Sequence, residues 1–229
     1  QELALGYEGG VGAFLTFSLV YGIDLEELAE EAYDKIPPQA FADSSGFYDW
    51  TVKKKRSTFG LSKRAFVTCD AFKRLWREAH PNVSTLWGEM RDAAVAAINR
   101  PGITFPCRRF KVRRDGNWLR IGLPSGRALC YPAPEVSDKG EISYMGVNQY
   151  TRKWGRIKTY GGKLFENACQ GLARDVMADN MAAIEAAGYS IRLTVHDEVI
   201  TYAPDSDEFS SDALSRILAT NPPWAPDMP

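Results

Sequence analysis

Histidine is scarce in this 229-residue chain, which has only His80 and His196. Its four cysteines, Cys69, Cys107, Cys130 and Cys169, lie far apart and form no CxxC pair. That spacing argues against a zinc ribbon or a disulfide scaffold and fits a reducing compartment. No GxSxG elbow and no GxxxxGK[ST] loop occurs, which removes the nucleophile-elbow hydrolases and the P-loop ATPases. No apolar run approaches the roughly 20 residues needed to span a bilayer, so no membrane partner is expected, and no signal peptide opens the sequence. Internal repeats and low-complexity tracts are also missing. What remains is ordinary globular composition, 45% hydrophobic and 25% charged, enough for one large domain or two modest ones. The chain opens on Gln1 and closes in the Pro-rich NPPWAPDMP, so both ends read as cut.

The net charge of −1 conceals a segregation. Residues 1–50 balance at −9, 51–130 at +13, 131–163 at +3 and 164–229 at −8. A basic middle between acidic ends suits phosphate binding, which responds to local rather than total charge. A solvated basic face explains the same arithmetic equally well.

Along the chain, Tyr7, Val11, Phe14 and Leu15 recur at helical spacing, with a break expected at Gly9-Gly10. Asp24 is a helix cap for DLEELAEEAYDKI, which Pro37-Pro38 stops. Residues 39–49 read as a loop or short helix. A basic segment, 51–64, interleaves Lys53, Lys54, Lys55, Arg56, Lys63 and Arg64 with Phe59. Helical patterning resumes through Trp76, breaks at Pro81 and continues from about Ser84 to Asn99. His80 reads as a helix-end residue. Pro101-Gly102 punctuates a change of period, and beyond it residues 105–136 alternate as strands, with turns at Asp115-Gly116 and Pro124-Ser125-Gly126. A long amphipathic helix from about Leu164 to Ala187 carries Ala168, Leu172, Val176 and Met177 on one face, and Gly188 caps it. SIRLTV and VITYAP then form two short strands joined through His196-Asp197-Glu198, before a last helix at about 207–219. The class is α+β.

The HDE tripeptide is the sharpest chemical feature. Neighbouring residues of a straight strand point to opposite faces, but at a hairpin turn two carboxylates can come to one side. Such hard oxygen ligands suit Mg²⁺, although a polar turn is the commoner meaning of an acidic tripeptide. On the preceding helix, Asn167 and Gln170 stand three apart and share a face, with Arg174 four further on. Amides there can reach base edges or sugars, or can simply serve the helix terminus. Asp175 beside them reads as structural.

Three blocks in order then carry a resemblance to the C-terminal half of a family A DNA polymerase, the DNA polymerase I type, closest to those of bacteriophages. ELALGYEGGVGAF at 2–14 resembles motif B of the fingers. YGGKLFENACQGLARDVMA at 160–178 resembles the helix ahead of the active site, and TVHDEVI at 194–200 resembles motif C. LPSGRALCYP at 123–132 also resembles the Gly-Arg hairpin of these enzymes.

The resemblance implies a helical fingers subdomain over 1–110. It implies a palm over 111–229, whose antiparallel sheet carries a catalytic β-hairpin at 191–203. It makes Asp197 the carboxylate for catalytic Mg²⁺, with Glu198 in support and His196 at the primer terminus. Asn167 and Gln170 would lie along the minor groove of template-primer DNA, with Lys163 and Arg127 as backbone or groove contacts, while on charge the basic residues 51–64, Lys54 and Arg56 among them, and 108–114 would grip the duplex. Tyr7 would stack near the nascent pair and the incoming dNTP. Gly6, Gly9 and Gly10 allow more than one register there, and Leu3 stands where the family places an earlier aromatic. The aspartate of motif A, and an Arg and Lys for the triphosphate, belong upstream of Gln1. A fragment is therefore expected, inactive without the missing N-terminal part of the same polymerase, working in the host-cell cytoplasm if phage-encoded. A non-enzymatic DNA-binding module and a Mg²⁺-dependent nuclease are the alternatives.

Overall fold

The computed structural model describes residues 5–149 and 151–228. It divides into two compact units, Gln1–Asp92 with Thr159–Phe165, and Ala93–Lys158 with Glu166–Pro229.

In the first unit, α1 (Val11–Tyr21) follows the Gly9-Gly10 break, and Gly22 closes it in the left-handed conformation at φ 66°. Asp24 caps α2 (Leu25–Ala32) by accepting from the backbone N–H of Glu26 at 2.8 Å and of Glu27 at 3.3 Å. A 3₁₀ turn, Tyr33–Lys35, leads into α3 (Pro38–Lys53). Residues 39–49, expected as a loop or a short helix, are thus part of a 16-residue helix. Pro38 at its start loses no hydrogen bond, and Ala40, Ser44 and Thr51 bury one face.

Ser62 caps α4 (Lys63–Ala79), with Ala65 donating at 3.1 Å, and receives its own anchor from the Glu26 carboxylate. His80 ends that helix, its Nδ1 2.8 Å from the Trp76 carbonyl. The next helix, α5 (Pro81–Asn99), begins at Pro81 itself rather than at Ser84, because proline fits the first turn of a helix. Phe14, Leu25, Phe66, Trp76 and Trp87 form the core of this unit, the two tryptophans stacked 5.9 Å apart. Asp70 is fully buried there and accepts from Arg74 at 2.7 Å and from Lys73.

The turn at 6–9 is pinned from three sides. Arg77 donates to the carbonyls of Glu8 and Gly9, both at 3.2 Å, and the Trp87 indole N–H donates to the Gly6 carbonyl at 3.2 Å. The third tie is the Gly162 N–H, which donates to the Glu8 carboxylate at 2.8 Å. Gly162 lies in the first turn of α6 (Gly161–Ala186). A Cβ on Gly161 would collide with the Trp87 carbonyl, and one on Gly162 would lie 2.5 Å from the Tyr7 carbonyl oxygen.

The second unit is built on an antiparallel sheet in the order β1 (Thr104–Cys107), β2 (Phe110–Asp115), β3 (Trp118–Gly122), β4 (Ala128–Pro132). Alternation buries Phe110, Val112, Leu119, Ile121 and Tyr131. The turns fall at Gly116, φ 55°, and Gly126, φ 91°, as the sequence indicates. A three-stranded sheet follows, β5 (Glu135–Val136), β6 (Ile142–Val147) and β7 (Trp154–Thr159). Past α6, which Gly188 caps at φ 92°, come β8 (Ser190–Val195) and β9 (Glu198–Tyr202), then α7 (Ser211–Leu218). Helices and antiparallel pairs segregate along the chain, so the α+β expectation fits. All four cysteines are free, and among the described residues no helix is long and apolar enough to cross a membrane.

The glycine pair gives a direct test. Gly161→Ala should cost about 2 kcal/mol or more in urea unfolding, because backbone must move to admit the methyl. Gly155→Ala, where a Cβ meets nothing within 4 Å, should change stability by less than about 1 kcal/mol. Equal losses would show that the close approach at Gly161 is not restrictive.

Candidate functional site

β8 and β9 pair antiparallel with Val195 opposite Glu198, so His196 and Asp197 alone make the turn. His196 takes φ 53°, and it is the only one of the three with a positive φ. A positive φ at the first central position suits a two-residue hairpin loop, and histidine tolerates it better than most side chains. Asp197 is thereby lifted out of strand alternation to the tip. Glu198 stays in the strand, on the face that its register gives to Val195, Leu193 and Ile200. That face is apolar and exposed: Leu193 is 54% accessible, Ile200 49% and Tyr202 73%. The hairpin forms a sheet of its own, apart from the four-stranded one, among the described residues. His196, Asp197 and Glu198 are all exposed.

Asn167 and Gln170 differ in their surroundings. Gln170 is exposed and donates to Glu166 one turn back at 3.3 Å. Asn167 is half-buried and donates to the Tyr131 hydroxyl at 3.1 Å. Burial pushes the Tyr131 phenol up to about 12, partly offset by that hydrogen bond, and its ring packs edge-on against Tyr144. Sequence reasoning missed Tyr131, although its inward place in a strand of alternating pattern was a usable signal.

Arg127 sits in the loop between β3 and β4. It pairs with the buried Asp175 carboxylate, which also accepts from the Ser125 hydroxyl, and it donates to the Gly171 carbonyl at 3.3 Å. Asp175 thus ties that loop to α6, in agreement with its structural reading. Gly171 makes room for this packing, since a Cβ there would lie 3.1 Å from Leu123.

Tyr7 and Lys163 belong to the first unit. The Tyr7 ring lies 6.2 Å from that of Phe165, and Lys163 follows the glycine pair on the same turn of α6. Leu3 and the first three residues of the block at 2–14 lie outside the described residues.

The basic segment separates into two kinds of charge. Lys63 bonds Asp49 at 2.9 Å and Arg64 bonds Asp34 at 3.1 Å, so both are committed within the protein. Lys53, Lys54 and Lys55 are exposed and make no ion pair among the described residues, while Arg56 lies over the Trp50 ring at 4.5 Å. Further along, Arg113 pairs with Asp115, and Arg114 donates to the carbonyls of Ile98 and Gly116.

The chain is similar throughout to a phage DNA polymerase. That protein, from Bacillus phage SP02, is 28% identical over 241 aligned residues. The match takes in 100% of this chain and 30% of the relative, so the chain spans under a third of that polymerase. No protein-family model matches the chain, and no solved structure does. A relationship to DNA polymerases is the level this similarity supports.

Asp197 and Glu198 are hard oxygen donors, the kind Mg²⁺ takes one or two of alongside phosphates and water. Among the described residues no group of three or more His, Cys, Asp or Glu gathers around a common point.

The buried phenol sets a pH dependence. A tyrosine in the unfolded chain ionises near pH 10, whereas Tyr131 holds its proton to about 12. Between those values the folded state binds more protons, so stability falls as pH rises through the window. Urea unfolding from pH 9 to 11 should show that decline, and Tyr131→Phe should flatten it. An unchanged slope in the variant would assign the decline to other groups.

Proposed function

We propose that this chain is the catalytic C-terminal part of a phage-type family A DNA polymerase, with residues 1–110 as fingers and residues 111–229 as most of the palm. The carrying observation is the exposed two-residue turn that presents Asp197, in a chain similar along its whole length to a phage DNA polymerase. The reaction is template-directed transfer of a nucleotide from a dNTP to a primer 3′-OH.

In this reading Asp197 holds catalytic Mg²⁺ and Glu198 supports it. Two such ions, when bound, stabilise the attacking and leaving oxygens of an in-line displacement. The protein's own part is positioning. His196, fixed at its unusual backbone angle, touches the primer terminus beside Asp197. Asn167 and Gln170 read the minor groove, which only donors and acceptors of modest size can enter. The Tyr131 hydroxyl orients the Asn167 amide and so fixes which way it faces DNA. Arg127 and Lys163 contact the sugar-phosphate backbone, and Arg127 is held ready by Asp175. Tyr7, in a turn pinned by Arg77 and Trp87, stacks near the nascent pair.

Two carboxylates leave the site incomplete, and the remaining aspartate is assigned to an upstream segment of the whole polymerase. The same segment is the proposed cover for the apolar face of Leu193, Val195, Ile200 and Tyr202, because a lone two-stranded hairpin is marginal in water. The relative's greater length supplies chain for that purpose. Without it, residues 1–229 are expected not to extend a primer.

In the complete enzyme, Asp197→Ala should lower primer extension by roughly three orders of magnitude or more while template-primer affinity stays within about twofold. Near-normal extension would refute the metal assignment. Primer shortening in place of extension by the unaltered enzyme would favour the nuclease reading. Lys54→Gln should weaken DNA binding uniformly across sequences and reduce the salt slope by about one unit. An unchanged slope would make Lys54 a solvated surface charge.

A further inference from the structure

Three glycines, at positions 6, 9 and 10, crowd the turn that carries Tyr7, yet its left-handed residue is Glu8, at φ 67°. Gly10 sits at φ −114°, a conformation open to other residues. Glycine at position 8 would enter the left-handed region without penalty, whereas a side chain makes it costly. A turn that places this cost on its one carboxylate-bearing residue is built around the carboxylate.

That carboxylate has a specific partner. It accepts from the Gly162 N–H at 2.8 Å, in the first turn of α6, where a helix leaves its N–H groups without internal acceptors. Negative charge at that end is also favoured by the helix dipole. The other two ties to the turn, from Arg77 of α4 and Trp87 of α5, end on backbone carbonyls. Neither depends on the Glu8 side chain. Of the three, the Glu8 carboxylate alone reaches α6. Approach is close there, since a Cβ on Gly162 would collide with that of Glu8. Three residues on from Gly162 is Phe165, whose ring lies 6.2 Å from that of Tyr7 at 53°. The two rings thus stand on either side of the Glu8 anchor, and all of these residues belong to the first unit.

We propose that Glu8 is a positioning residue for the incoming nucleotide, acting through Tyr7. Its carboxylate fixes the separation of the turn from α6, and with it the tilt of the Tyr7 ring against Phe165. The inference rests on the polymerase reading, in which Tyr7 stacks near the nascent pair, and adds the group that holds the ring there. Asp197 and its hairpin belong to the second unit, so Glu8 takes no part in the chemical step. Loss of the anchor weakens nucleotide binding in the ground and transition states alike, which raises KM and leaves kcat.

The test is single-nucleotide incorporation by the full-length protein with Mg²⁺. Glu8→Gly removes the carboxylate and suits the backbone, so its effect cannot come from strain. It should raise KM for the complementary dNTP about 10-fold or more, the scale of one hydrogen bond to a charged group, with kcat and template-primer affinity within about twofold. Glu8→Gln keeps an acceptor oxygen at the same reach and should return KM to within about threefold of wild type. Hydrogen exchange read by mass spectrometry should show faster exchange in the peptide containing Gly162 for Glu8→Gly, and the wild-type rate for Glu8→Gln. A KM for Glu8→Gly within about twofold of wild type would overturn the proposal, as would a Glu8→Gln variant no better than Glu8→Gly. Parallel losses of kcat, nucleotide affinity and thermal stability would also overturn it, leaving Glu8 a purely structural residue. Failure of the wild-type protein to incorporate any nucleotide would instead overturn the polymerase reading.

Discussion

Backbone meets backbone where α6 begins, and only glycine permits it. The first turn of that helix lies against the Trp87 carbonyl on one side and the Tyr7–Glu8 peptide on the other. The Gly162 N–H, which a helix leaves without an internal acceptor, finds the Glu8 carboxylate there. An acid at a helix start is also favoured by the helix dipole. Arg77 and Trp87 complete the arrangement by fixing the Gly6 to Gly9 carbonyls. Within the first unit, Tyr7 and the first turn of the helix, which carries Lys163, are thus held together. A methyl group at either glycine would disturb all of these at once.

A second constraint operates at the hairpin tip. A two-residue loop gives Asp197 a direction that strand alternation would deny it, and the cost is carried by His196 in a left-handed conformation. Local backbone strain at such a place is stored where chemistry is proposed. The chain holds Phe59 in the same region of backbone space, beside the basic segment, while most of the molecule is regular.

Much of this was legible in the residues. Asp24 as a cap, Gly188 as a C-terminal stop, the Asp115-Gly116 and Pro124–Gly126 turns, and the HDE hairpin all rest on local chemistry that tertiary packing did not override. Asp175 was correctly read as structural. Helix extents were less legible. Residues 39–49 read as a loop or a short helix, and the fold makes them part of a 16-residue helix that buries Ala40, Ser44 and Thr51. The break at Pro81 holds, since one helix ends at Ala79, but the next starts on Pro81 rather than at Ser84. Ion pairing was invisible too: Lys63, Arg64 and Arg113 count as positive charge in a sequence, while the fold commits them to Asp49, Asp34 and Asp115. Tyr131 was missed because its role depends on a hydrogen bond between residues 36 apart in sequence. Within the segment 51–64, Lys53, Lys54 and Lys55 are the charges left without an acid partner among the described residues, while Arg56 lies over the Trp50 ring.

The central claim is that this chain belongs to the catalytic part of a template-directed polymerase. Its most direct test is single-nucleotide incorporation by the full-length protein with Mg²⁺, on four template-primers that differ only in the first unpaired template base. The account predicts addition of the complementary nucleotide on each template. Absence of incorporation on all four, or addition of the same nucleotide regardless of template, would contradict it.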